Sequence, residues 1–233
     1  MEMLNFDAVL QGKYLGWLLA GAAMTLALFA VSWLAGFALS LVLLALRQSG
    51  IRVMQAVAIA FVAYHRNVPA LVQVFLWYFG VPQLLPQAWQ SWINANGSEF
   101  VLVSIALAWN SAAYMSEDLR SGLRSLPRTQ LEAARAIGMT YLQSMRIVLV
   151  PQALRAALPP LVNQSLTLFK TTSLAMAVGL AEMTYASRQV ENESFRTFEA
   201  FAIASAFYWL CSFALASAGK HWSRRLSLQE RRA

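Results

Sequence analysis

Lys170 stands within an apolar run and is followed by Thr171, Thr172 and Ser173. A cation and three hydroxyls at such a place attract and hydrogen-bond a charged group; alone they break no covalent bond. At helical spacing Asn163, Thr167, Lys170 and Leu174 share one face. Two uses fit. The lysine meets the carboxylate of a passing solute, helped by the amide and hydroxyls, or it pairs with a carboxylate or carbonyls of a neighbouring helix. Arg66, beside Pro69, poses a similar choice: it holds the carbonyls freed by a kink, or it lines an inner gate. Asn110 and Ser111 either line the path or bond one helix to the next. His65 is expected at an interface rather than as a ligand. No set for bond chemistry accompanies these residues. There is no G-x-x-x-x-G-K-[ST] phosphate loop, no HExxH, no CxxC and no GxSxG. The lone Cys211 allows neither an internal disulfide nor a zinc site. No metal or cofactor is expected on the chain itself.

The elements that must position these groups are membrane helices. Of 233 residues, 58% are hydrophobic and 12% charged, the latter about half the usual share of a soluble domain. Several runs exceed the roughly 20 apolar residues that cross a bilayer. The expected fold is all-α and polytopic, one membrane domain over 1–233 with five spans. These fall at about 15–46, 53–80, 99–115, 156–180 and 198–219. Residues 1–9 carry two acidic and no basic residues, so they are not expected to be a secretory signal. Gly12 and Gly16 form a GxxxG pattern at the edge of the first span, a weak packing signal. His65-Arg66-Asn67-Val68-Pro69 interrupts the second segment. That segment is either one kinked span or an interfacial helix followed by a span. Residues 81–98 read as a loop whose Trp89 and Trp92 suit a membrane–water interface. Pro159-Pro160 is expected to open the fourth span. Residues 182–197 read as a polar loop.

Charge placement sets the sidedness. Arg47 and Arg52 follow the first span, and Arg120, Arg124, Arg128, Arg135, Arg146 and Arg155 lie in 116–155. Lys220, Arg224, Arg225, Arg231 and Arg232 end the chain. Together these are thirteen of the 18 Lys and Arg. By the positive-inside rule they are cytoplasmic, which puts the N-terminus outside and the C-terminus inside. The same placement accounts for the net charge of +7 without a nucleic-acid partner.

The longest polar stretch is 116–155. Pro127 can open a helix, and Leu131, Glu132, Ala133, Ala134, Arg135 and Ala136 all favour one. Gly138 can stop it in a left-handed conformation. Tyr141, Leu142, Met145, Val148 and Leu149 then repeat at helical spacing, and Pro151 is expected to break or kink that helix. Glu132 either braces this loop through Arg128 or Arg135, or meets a basic residue of another chain.

Glu132-Ala133-Ala134, Gly138, Val148, Val150 and Pro151 resemble the EAA loop of the membrane subunits of ABC importers. The family usually has Ile and Leu where this chain has Val148 and Val150. Arg66-Asn67-Val68-Pro69, Tyr114-Met115-Ser116-Glu117 and Lys170-Thr171-Thr172-Ser173 resemble the polar amino-acid branch of those permeases. Asp often follows the lysine there; here it is Thr171. Phe75-Leu76-Trp77-Tyr78 and Pro82-Gln83-Leu84-Leu85-Pro86 look most like glutamate/aspartate importer permeases. The resemblance covers most of residues 14–220. It implies a type I importer permease in the cytoplasmic membrane, with a coupling helix that docks on a cytoplasmic ATPase. Leu131, Glu132, Ala133, Ala134, Arg135 and Gly138 would form that contact. Lys170, Thr171, Thr172, Asn163, Asn110 and Arg66 would serve the substrate path. It also implies two ATPase subunits carrying ATP and Mg, a second permease, identical or homologous, and an external amino-acid-binding protein. An intramembrane enzyme is disfavoured, because only Lys170 and Arg66 are charged at that depth. A non-transporting assembly scaffold is the other alternative.

Overall fold

The computed structural model describes residues 4–230, with side chains to residue 223. The tail residues Arg224, Arg225, Arg231 and Arg232 therefore lie outside the described side chains. The described residues form helices and connecting turns, with no strand. In chain order the helices are α1 Gly12–Gln48, α2 Arg52–Asn67, α3 Ala70–Leu84, α4 Gln87–Ala95 and α5 Ser98–Arg124. After them come α6 Arg128–Ala136, α7 Tyr141–Val178, α8 Met183–Ser194 and α9 Thr197–Glu230.

Among the described residues, α1, α7 and α9 are long and apolar enough to cross a bilayer, and α2 with α3 makes a fourth candidate if the bent pair is one span. α5 has the length, at 27 residues, but not the apolarity. The reason is its position. Leu102, Val103, Ala106, Leu107, Ala112, Ala113 and Met115 are buried within the bundle, together with Ser104, Ser111 and Ser116. A helix surrounded by protein is selected for small size and close approach rather than for contact with lipid.

α1 buries a stripe of small residues. Its buried positions recur every three or four residues; Ser32 and Gly36 face α5, while Gly21 and Thr25 face the start of α8. A Cβ on Gly36 would lie 2.9 Å from the Ala108 carbonyl oxygen, and one on Gly122 would lie 2.6 Å from that of Ala153. The backbones of α1, α5 and α7 thus meet where only hydrogen fits. The Gly12/Gly16 pattern does no such work, since a Cβ at either position would meet nothing within 4 Å.

Four expectations need correction. The third apolar segment does not stop at 115: α5 runs on to Arg124, so only the helix–turn–helix expected after Pro127 remains of the polar stretch. Pro151 does not end a helix, because the wider π turn Ser144–Leu149 just before it leads straight into the segment that contains it. Pro159 and Pro160 lie inside α7 rather than at its start. Residues 182–197 are not a loop but largely the helix α8. Its first turn is held by Glu182, whose carboxylate accepts the Thr184 and Tyr185 amides, both at 2.9 Å. The Tyr208 hydroxyl of α9 also donates to that carboxylate, at 2.7 Å. Glu182 is fully buried, so one N-cap joins α8 to α9.

Candidate functional site

The first candidate is the α6 turn. Arg128–Ala136 is nine residues, about 13 Å of helix. It ends in a Schellman arrangement: Gly138 sits at φ +88°, its amide donates to the Arg135 carbonyl at 3.0 Å, and the Met139 amide donates to the Ala134 carbonyl at 3.2 Å. A left-handed C′ position suits glycine because it has no Cβ to clash. The next helix opens with a capping box, in which the Gln143 amide donates to Thr140 Oγ1 at 3.3 Å and the Thr140 amide donates to Gln143 Oε1 at 2.8 Å. That T-x-x-Q spacing was legible as a helix start.

Glu132, Ala133 and Arg135 are exposed, and Leu131 is half-buried. Among the described residues Glu132 forms no ion pair or hydrogen bond, so neither Arg128 nor Arg135 braces it. Ala134 differs from expectation. It is the one buried residue of α6, turned to its own chain rather than outward with Ala133. α6 packs there against the π turn that follows it.

The second candidate is the outer face of α7. Asn163, Thr167 and Lys170 are exposed along one face, as the spacing requires. Lys170 and Ser173 line a cleft of about 340 Å³ with Thr184 of α8 and Phe201, Ser205 and Tyr208 of α9. No described carboxylate lies within ion-pair distance of Lys170. Thr171 is half-buried, and its hydroxyl donates to the Thr167 carbonyl at 2.8 Å. Thr172 does not belong to this face. It is fully buried, and its hydroxyl is spent on the Phe169 carbonyl at 2.6 Å. Sequence reasoning missed Tyr208 and Thr184, which reach the cleft from what read as a separate loop and span.

Arg66 and Asn110 do not join Lys170. They sit at the break between α2 and α3, where the axis turns by 110°. Asn110 Nδ2 donates to the His65 carbonyl at 3.0 Å, and the Tyr114 hydroxyl to the Arg66 carbonyl at 3.3 Å. The remaining freed group is met by Gln73, whose Nε2 donates to the carbonyls of His65 at 3.0 Å and Val68 at 2.8 Å. Gln73 Oε1 also lies 2.6 Å from His65 Nδ1. The kink is therefore held by Gln73, Asn110 and Tyr114, and the Arg66 guanidinium is left for other contacts. His65 is 4% exposed, so it is a core brace and not an interfacial residue. Replacing Gln73 by Leu leaves the Val68 carbonyl without its donor, at a cost of about 1–3 kcal/mol per buried polar group. We expect the purified Gln73→Leu protein to melt about 5 °C lower. An unchanged melting temperature would mean that the brace is redundant.

α2 is 16 residues long, about 24 Å. Near its start Gln55 bonds the Arg47 carbonyl of α1 at 3.3 Å, and at its end it meets Asn110 and Tyr114 of α5. The interruption expected within 53–80 is therefore the bend between α2 and α3.

The chain is similar to known proteins in sequence and in fold. Residues 42–228 match the family described as "Binding-protein-dependent transport system inner membrane component". The glutamate/aspartate import permease protein GltJ of Escherichia coli strain K12 is 33% identical over 201 residues, 84% of this chain and 82% of GltJ. The nopaline transport system permease protein NocM of Agrobacterium fabrum strain C58 is 38% identical over 199 residues, 84% of this chain and 82% of NocM. The crystal structure of an amino acid ABC transporter with histidines superposes with a TM-score of 0.84 at 29% identity, covering 96% of this chain and 99% of that one.

Proposed function

The chain belongs to the inner membrane component family of binding-protein-dependent transport systems, and from that membership we propose that it is the permease subunit of an ATP-driven importer of polar amino acids. It carries no phosphate-binding loop of its own, and ATP is hydrolysed by separate subunits of such systems. The full assembly we propose has two ATPase subunits, a second permease and an external amino-acid-binding protein. Five spans, with the N-terminus outside and the C-terminus and α6 in the cytoplasm, are the topology most consistent with the distribution of Lys and Arg. α6 is then the coupling helix. Its exposed Glu132, Ala133 and Arg135 dock on an ATPase, while Ala134 seats the helix against its own chain and Gly138 ends it. Closure of the ATPase pair would pull on two such helices and rock the permeases between inward and outward opening.

The observation that carries the substrate reading is the cleft of Lys170, with Ser173, Thr184, Ser205 and Tyr208 around an ammonium that no described carboxylate neutralises. Asn163 and Thr171 belong to the same helix and would extend the path. A charge left open in this way favours a substrate with a spare carboxylate, so glutamate or aspartate is our proposed cargo. Nopaline transport by a relative of similar identity makes other polar amino acids the alternative. Uptake of labelled amino acids into proteoliposomes holding the whole complex tests this. Lys170→Met should cut uptake of glutamate about tenfold, the worth of one charge-assisted hydrogen bond, with the complex still assembled. Full glutamate uptake by the variant would remove Lys170 from the path.

A further inference from the structure

We propose that the inner cleft between α1, α2 and α5 binds a phosphate group, and that this is the headgroup phosphodiester of an anionic phospholipid. The cleft is about 520 Å³ and is lined by Arg47, Arg66, Arg120, Tyr114 and Glu117 on its polar side. Glu117 is already engaged at both oxygens. Arg47 Nη2 donates to Oε1 at 2.8 Å and Arg120 Nε to Oε2 at 3.0 Å. The carboxylate thus pins two guanidiniums without neutralising the set. Arg47 Nε is buried and has no hydrogen-bond partner. Arg66 lies over the Tyr114 ring, 5.4 Å from its centroid. No described carboxylate comes within ion-pair distance of Arg66; Asp118 acts on it only through space. Three guanidiniums therefore face one lining carboxylate. Planar guanidinium forks match the oxygens of a phosphate, which accepts several such bonds at once.

The apolar part of the lining identifies the source of that phosphate. It is formed by Ile59, Val62 and Ala63 of α2. Ile59, Ala63 and Arg66 recur at helical spacing on one face of α2, and Ile59 is 49% exposed, so apolar surface adjoins the arginines. A phospholipid uses both parts of the lining, with its phosphate on the guanidiniums and an acyl chain along Ile59 and Ala63. A soluble phosphate, or an acidic side chain of a partner protein, would use the arginines alone.

The test uses the purified permease–ATPase complex in a neutral detergent, melted with added phosphatidylglycerol, phosphatidylcholine or inorganic phosphate. Phosphatidylglycerol should raise the melting temperature by about 5 °C, as expected for a ligand well above its dissociation constant, and phosphatidylcholine should not. Arg66→Gln should lose at least half of that rise. Ala63→Glu, an exposed change that adds a negative charge to the cleft and removes no arginine, should do the same. Arg188→Gln, on the exposed side of α8, should keep the full rise. Equal stabilisation by both lipids would overturn the proposal, as would a full rise in both cleft variants. Inorganic phosphate reproducing the rise at millimolar concentration would assign the cleft to a soluble anion and reject the lipid.

Discussion

Glu132→Lys should reduce ATP-driven uptake by the complex at least tenfold while leaving the permease in the membrane. The carboxylate is exposed on a helix of nine residues, and no described residue of its own chain holds it. Its removal therefore costs the fold little. A hydrogen bond to a charged partner contributes about 1.5–3 kcal/mol, and charge reversal turns that attraction into repulsion. A difference of about 1.4 kcal/mol is already tenfold in an equilibrium constant, so the coupled step should suffer by ten- to a hundredfold. Uptake into proteoliposomes and co-purification of the ATPase subunit measure the two halves of this statement. The neutral Glu132→Gln should fall between the variant and the wild type. Uptake within about twofold of wild type in Glu132→Lys, with the ATPase still bound, would remove Glu132 from the coupling contact.

Gly36→Val should prevent accumulation of the folded protein or lower its melting temperature by about 8 °C. The added Cβ would meet the Ser111 hydroxyl and lie 2.9 Å from the Ala108 carbonyl oxygen. The carbonyl belongs to the α5 backbone and cannot rotate aside. Relief requires α1 and α5 to separate, and those two helices share the core stretch that includes Leu28, Val103 and Leu107. Gly16→Val is the matched control on the same helix, because a Cβ there meets nothing within 4 Å. Equal behaviour of the two variants would mean that the α1–α5 approach is loose enough to absorb a side chain.

The long apolar helices were legible in the sequence, because burial in lipid demands long apolar runs. So was the α6 turn. Pro127, a helix-favouring run and Gly138 are local signals, and the left-handed turn at Gly138 needs no distant contact. The shared face of Asn163, Thr167 and Lys170 followed from helical period alone.

Tertiary structure decided what each polar side chain does with that position. Thr172 follows Thr171 in sequence but turns into the core, because the next residue of the helix is rotated away from the exposed face. Asn110 lies 45 residues from His65, yet it closes the same bend as Gln73, since a broken helix frees carbonyls that a folded neighbour must satisfy. Glu182 read as a loop charge and is a fully buried cap, held by Tyr208 from a helix that begins 15 residues later. Local sequence sets where a helix starts and which residues share its face. Which face is covered, and by what, depends on long-range packing that no local pattern encodes.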